Sequence, residues 1–247
     1  MFLRALFVVL LLLPAVARAD DYAKPDWPSL TRTMVRFNAI DLSDPAILDE
    51  YAIVTECDLY KAFYSNDFKW QQVRQAVLQA ARNDIATFPT AYYYDTKLQL
   101  DRYDFGANLF RFTDKSTIRN VNAFTIYSVA GTGCGGAHIK ILPRTFRVVI
   151  GVPVTMDGIP LGEKDAQTLL GNMDKDGNIS RIVYARFNLR ITYIDPMRKM
   201  PGGQGEADIY HQSNAPDNES VRLDAHLDSI DFYEDPQMQK LIYEAQM

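Results

Sequence analysis

The stretch Arg181 to Ile194 reads RIVYARFNLRITYI, apolar and polar by turns along its whole length. Val183, Ala185, Phe187, Leu189, Ile191 and Tyr193 fall on one side, and Tyr184, Arg186, Asn188, Arg190 and Thr192 on the other. Successive side chains of a strand leave opposite faces, so a period of two over this length predicts a strand with one face on a core. The other face is left for solvent or a ligand. Val221 to Phe232 (VRLDAHLDSIDF) repeats the pattern. Two strands of this length require a broad sheet and a layer to cover its apolar side.

The remaining elements supply that layer. Ser43-Asp44-Pro45 reads as a capped helix start, with Ser43 as cap and Pro45 in the first turn. A helix carrying Cys57 is predicted over 45–64, and a second one follows a cap at Asn66, with Trp70, Val73, Val77 and Ala80 on one stripe. Residues 20–42 are interrupted by proline and read as an extended lead-in anchored by Trp27 and Phe37. Strands are predicted over 91–103, 109–113, 121–129 and 145–155, the first two joined as a hairpin near Gly106-Ala107-Asn108, and a short helix over 162–173. Residues 197–219 form a loop rich in Gly, Pro and Asn, and Asp235-Pro236 reads as the start of a terminal helix ending near Ala245. The predicted class is therefore α+β: an N-terminal helical hairpin packed on a mostly antiparallel sheet, followed by a C-terminal helix. No internal repeat breaks the chain, so 20–247 is read as a single domain with a helical subregion at 43–85.

The first nineteen residues stand apart. MFLRALFVVLLLLPAVARA places Arg4 before an apolar run and closes on Ala17-Arg18-Ala19. The run is too short to cross a hydrocarbon core of about 30 Å at roughly 1.5 Å per residue. Residues 1–19 therefore read as a cleaved signal peptide, which predicts a periplasmic or secreted product without a stable membrane anchor. Without Arg4 and Arg18 the chain carries 24 basic and 31 acidic side chains. That acidic balance argues against nucleic acid as a partner.

An oxidising destination changes the meaning of the cysteines. The chain has two, Cys57 and Cys134, a pairing that predicts one disulfide. Cys134 lies in GTGCGGAH, residues 131–138, whose glycines let the backbone bring the sulfur within bonding reach of a helix. The competing reading makes Cys134 a thiolate nucleophile and His138 its base, which demands a rigid turn and a third group to orient the imidazole. Four glycines make a poor rigid turn, and the disulfide reading is preferred.

Three further patterns bear on chemistry. NMDKDGNIS places Asn172, Asp174, Asp176 and Asn178 at alternate positions with Gly177 between them, the opening of an EF-hand-like calcium loop. The twelfth position is Val183, where a bidentate Glu is required, and a strand follows, so a helix-to-strand turn explains the same residues. Asp224, His226 and Asp228 alternate along the last long strand and leave one face, a row that suits a metal or acid–base work. A zinc site needs a further ligand, and the plainer account is a solvated strand face with Arg186 and Arg190 as ion-pair partners. Tyr92-Tyr93-Tyr94, with Tyr103, suggests an aromatic platform for sugars or peptides, or simply half-buried strand residues.

The strings YAIVTECDLYKAFYSNDFKW, LDRYDFGANLFRF and LDSIDFYEDP resemble an exported family of proteobacterial proteins described only as uncharacterised. The resemblance covers most of the mature chain and brings no active-site residues with it. It favours a non-enzymatic or unassigned role. With no complete catalytic constellation, the sequence favours a periplasmic or secreted binding module, tied by a disulfide, whose partner is an unidentified protein or a cell-envelope component. The alternative is a cell-envelope hydrolase using Cys134 and His138, or a metal at Asp224, His226 and Asp228.

Overall fold

The computed structural model describes residues 22–129, 134–137, 139–175, 177–195 and 220–247. His138, Asp176, the predicted leader at 1–19 and the 197–219 loop lie outside the described residues.

Helices come first: α1 (Trp27–Arg36), α2 (Pro45–Thr55), α3 (Cys57–Phe63) and α4 (Asp67–Asp84). α1 replaces the extended lead-in read from the sequence. Asp26 caps it, its side chain taking the Ser29 N–H while Ser29 bonds back, and the proline falls in the first turn where no N–H is needed. Trp27 and Phe37 do anchor the segment, one buried and the other packed against the core. The predicted 45–64 helix is two: Glu56 leaves helical geometry (φ −133°, ψ 51°) and turns the chain, so that Cys57 opens α3. Asp44, rather than Ser43, caps α2, accepting from Ala46 N–H at 2.9 Å. Asn66 caps α4 as predicted.

The sheet follows: β1 (Ala91–Asp104), β2 (Leu109–Phe112), β3 (Ala123–Ser128), β4 (Thr145–Ile150) and β5 (Gly158–Pro160). After α5 (Glu163–Met173) come the short pair β6 (Asp174–Lys175) and β7 (Asn178–Ile179), then β8 (Ile182–Ile194), β9 (Ser220–Tyr233) and β10 (Leu241–Gln246). The large sheet runs β3-β4-β9-β8-β1-β2-β5, with β10 also on β9. β4 and β9 are parallel, and the other pairs are antiparallel. The α+β class and the mostly antiparallel sheet stand.

The C-terminal helix does not. Asp235 accepts the Gln239 and Lys240 N–H groups and Met238 takes a positive φ of 54°, which closes a turn and sends 241–246 back along β9. Ala245 is thereby buried, and Ile242 and Tyr243 pack on the core.

One buried apolar cluster runs from Trp27 to Ala245. Phe124 of β3 meets Tyr94 of β1 at 4.9 Å between ring centroids, although β4, β9 and β8 separate those strands in the sheet order. The sheet therefore curls about its inner face. α1 seals that face where the Thr33 hydroxyl bonds the Tyr92 hydroxyl. The β3–β4 connection is pinned to the helices: Glu50 of α2 accepts the backbone N–H groups of Lys140, Ile141 and Leu142 at 2.7–2.8 Å. Nearby, Trp27 Nε1–H donates to the Pro143 carbonyl.

Candidate functional site on the outer sheet face

β8 and β9 pair antiparallel, and their apolar positions, Val183 to Ile191 and Leu223 to Phe232, close the inner face. Two bulges interrupt the ladder. Asn188 faces Ser229 while Leu189 faces Leu227, so Asp228 is the extra residue on β9. Ile191 faces Ala225 while Tyr193 faces Asp224, so Thr192 is the extra residue on β8. Each bulge resets the alternation. Beyond Thr192, Ile194 goes inward at 1% exposure, and Tyr193 stands outward at 48% instead of on the core side where strict alternation places it. Bulges re-aim side chains and concentrate beside functional sites. Here they bracket the Arg190–His226 pair.

Asp224, His226 and Asp228 do share the outer face, but their partners differ from those of a metal row. His226 Nδ1 lies 2.8 Å from Asp228 Oδ1. A carboxylate only accepts, so the Nδ1 proton points at it and Nε2 carries the lone pair in the neutral ring. Asp228 Oδ2 takes the Tyr22 hydroxyl at 2.8 Å and stands 3.1 Å from Arg190 Nη2. Burial alone raises the Asp228 carboxyl; the bonds from Tyr22 and His226 and the charge of Arg190 outweigh it and hold the group below its ordinary value. Asp224 pairs with Arg222 at 2.8 Å. Among the described residues, no group of three or more His, Cys, Asp or Glu is arranged to hold a metal.

On the far side of the Asp228 bulge, Asn188 Nδ2 donates to Ser229 Oγ and Asp231 Oδ2, each at 2.8 Å. Ser229 donates to Asp231 Oδ1 at 3.1 Å. Asn188 and Ser229 are buried polar groups, and this network satisfies them. Arg186 makes a two-pronged bond to Asp95 of β1 at 2.8 and 2.9 Å, and its guanidinium lies 4.1 Å over the Tyr93 ring. Of the two arginines expected to partner the acidic row, Arg190 serves Asp228, whereas Arg186 turns to β1. The tyrosine run divides by face. Tyr93 lies outward under Arg186, while Tyr92 and Tyr94 point to the core. Tyr103 hydrogen-bonds the Leu161 carbonyl.

The other patterns resolve elsewhere. Cys57 and Cys134 form a disulfide with Cα atoms 5.5 Å apart. A bridged sulfur is no thiolate, so a nucleophilic Cys134 would require this bridge to be open. Gly136 adopts φ 86°, the backbone freedom expected of the glycine loop. In the calcium-like stretch, Asn172 donates to Glu234 Oε2 and Asp174 accepts Gly177 N–H, closing the β6–β7 hairpin with Gly177 at φ 81°. Asn178 sits on β7. Tyr22, Asp95 and the Asn188–Ser229–Asp231 group join the site without having stood out in the sequence. The phase break in LDSIDF, where Leu227, Ile230 and Phe232 cannot all alternate, is the one local sign of the bulge that gathers them.

No curated protein matches the chain, and no solved structure does. A family model described as "Domain of unknown function (DUF4852)" matches residues 44–170, α2 through most of α5 and just over half the chain. The chain belongs to that DUF4852 family.

Proposed function

We propose that this chain is an exported binding module that takes a hydroxyl- and amide-rich component of the cell envelope on the outer face of β1, β8 and β9. The observation that carries this reading is the charge pairing of that face. Asp95, Asp224, Asp228 and Asp231 lie among Lys97, Arg186, Arg190 and Arg222. Such a surface offers many directional donors and acceptors without a net field, which suits a polar ligand of low charge. The leader-like residues 1–19 support export, and the Cys57–Cys134 bridge is consistent with an oxidising compartment.

Purified protein is expected to sediment with isolated cell-wall sacculi, and the Arg190→Ala/Asp231→Asn double variant to lose affinity about tenfold, a change of ~1.4 kcal/mol. Equal sedimentation of the variant, or none by the wild type, sinks the binding reading. Release of soluble fragments from the sacculi would replace it with hydrolysis. Intact mass from the periplasmic fraction is expected to match a chain beginning at Asp20, with no thiol alkylated before reduction.

A further inference from the structure

A second surface stands apart on the helical layer. α4 has 18 residues, which at roughly 1.5 Å each make it about 27 Å long. Trp70, Val77 and Ala81 turn one side of it onto the core, and the opposite side faces solvent. That side begins with Phe68, at 86% the most exposed large apolar side chain among the described residues. A single exposed apolar residue needs no explanation, but this one heads a pattern. Phe68, Gln72, Ala76 and Ala80 recur every four residues and form one ridge along the helix. The ridge is bulky at its N-terminal end and small at the other, where Ala76 and Ala80 wall an open cleft of about 520 Å³ that Val77 and Phe88 also line. It carries no charge: Gln75 and Gln79 flank it, and the Lys69 ammonium lies over the Phe63 ring. Charge returns at its two ends, with Asp67 in the first turn of α4 and Arg82 in the last.

We infer that this face pairs with the same face of a second copy of the chain, α4 antiparallel to α4 about a two-fold axis. A two-fold makes a patch meet itself, so the patch has to be self-complementary. An axis midway between Phe68 and Ala80 sets Phe68 against the partner's Ala80 and Gln72 against the partner's Ala76, large on small along the whole ridge. Each Phe68 ring enters the cleft beside Ala80 of the other copy. The same operation brings Asp67 to the partner's Arg82, opposite charges at both ends. Parallel pairing would set Phe68 on Phe68 and Asp67 on Asp67, and loses both matches. One helix face covers less than the roughly 1,200 Å² of a stable complex, so the pair is transient, with a dissociation constant on the order of 100 µM. α4 shares no residue with the outer sheet face, so this inference and the binding reading fail separately.

Sedimentation equilibrium of the oxidised full chain, from about 10 to 500 µM, tests this. The average mass is expected to climb toward twice that of the monomer. Phe68→Ser is expected to stay monomeric across the range, whereas Phe105→Ser, at a residue 72% exposed elsewhere, behaves as wild type. Charge exchange tests the register. Arg82→Glu and Asp67→Lys each set like charges together and are expected to weaken pairing about fivefold. An equimolar mixture of those two variants restores opposite charges at both ends and is expected to associate like wild type. Circular dichroism of each variant checks that the fold is kept. A wild type that stays monomeric to about 500 µM overturns the inference, as does association that survives Phe68→Ser or a mixture no better than its components. Should the monomer instead sediment with phosphatidylglycerol vesicles, and Phe68→Ser not, the face belongs to a membrane surface and the pairing is wrong.

Discussion

At the scale of single residues, Glu50 shows how far a side chain's role can lie from its sequence neighbourhood. On α2 it reads as an ordinary helical acid, yet it is buried and its three donors come from residues 140–142. Glu50→Gln keeps the size but leaves one accepting oxygen and turns an NH₂ toward backbone donors. Urea unfolding is expected to show a loss of about 2–4 kcal/mol, the range for breaking charged hydrogen bonds and stranding buried donors. A loss no larger than that of an exposed Glu would mean that solvent reaches the connection. Asp228 carries a pH signature. Its carboxyl titrates lower in the folded protein than in the unfolded chain, so on acidification the unfolded chain takes up the proton first. The stabilisation is whole above the ordinary carboxyl value of about 4 and drains away as pH falls through the folded value. Asp228→Asn is therefore expected to be less stable than wild type at pH 7 and to converge on it below about pH 4. Parallel curves at all pH values would show that Asp228 has no such linkage.

At the scale of elements, periodicity is the most legible signal and its interruptions the least. The two long strands, the helices of α2 and α4 and the α5 segment all follow from spacing and caps, because local propensity and tertiary burial agree there. α1 is hidden because its proline reads as a breaker unless the Asp26–Ser29 cap is weighed with it. The end of the chain misleads for the opposite reason. EDPQMQKLIYEAQ has helical composition, and only the open edge of β9 converts it to a strand, a tertiary demand that no local pattern carries. The site inherits this limit: the Asp224–His226–Asp228 row is visible, but the bond from Tyr22 to Asp228 joins residues 206 positions apart. Truncation after Lys240 tests the value of β10. It strips the pairing from Ser229 to Tyr233 and removes Ala245 from the core, leaving an exposed edge. The truncated protein is expected to associate in gel filtration as its concentration rises. A monomer with unchanged melting would make β10 dispensable.

At the scale of the whole molecule, the disulfide joins what the chain order separates. Cys57 and Cys134 lie 77 positions apart, one on the helical layer and one in the connection that leads into β4. A bridge across that span removes chain entropy from the unfolded state, about 4.5 kcal/mol in the simple loop model, with strain and residual structure reducing it. The native connection does not depend on the bridge alone, since Glu50 and Trp27 hold residues 140–143 independently. Two consequences follow from that division of labour. The reduced protein is expected to remain folded at neutral pH with its sheet intact, because the anchors of the native state survive. Its urea midpoint is expected to fall while the m value rises, because the freed unfolded chain expands and exposes more surface. Equilibrium unfolding of oxidised and reduced protein, with circular dichroism and tryptophan fluorescence as probes, measures both quantities. A reduced form that loses its sheet without denaturant would assign the native geometry to the sulfur bridge and make Glu50 and Trp27 secondary to it.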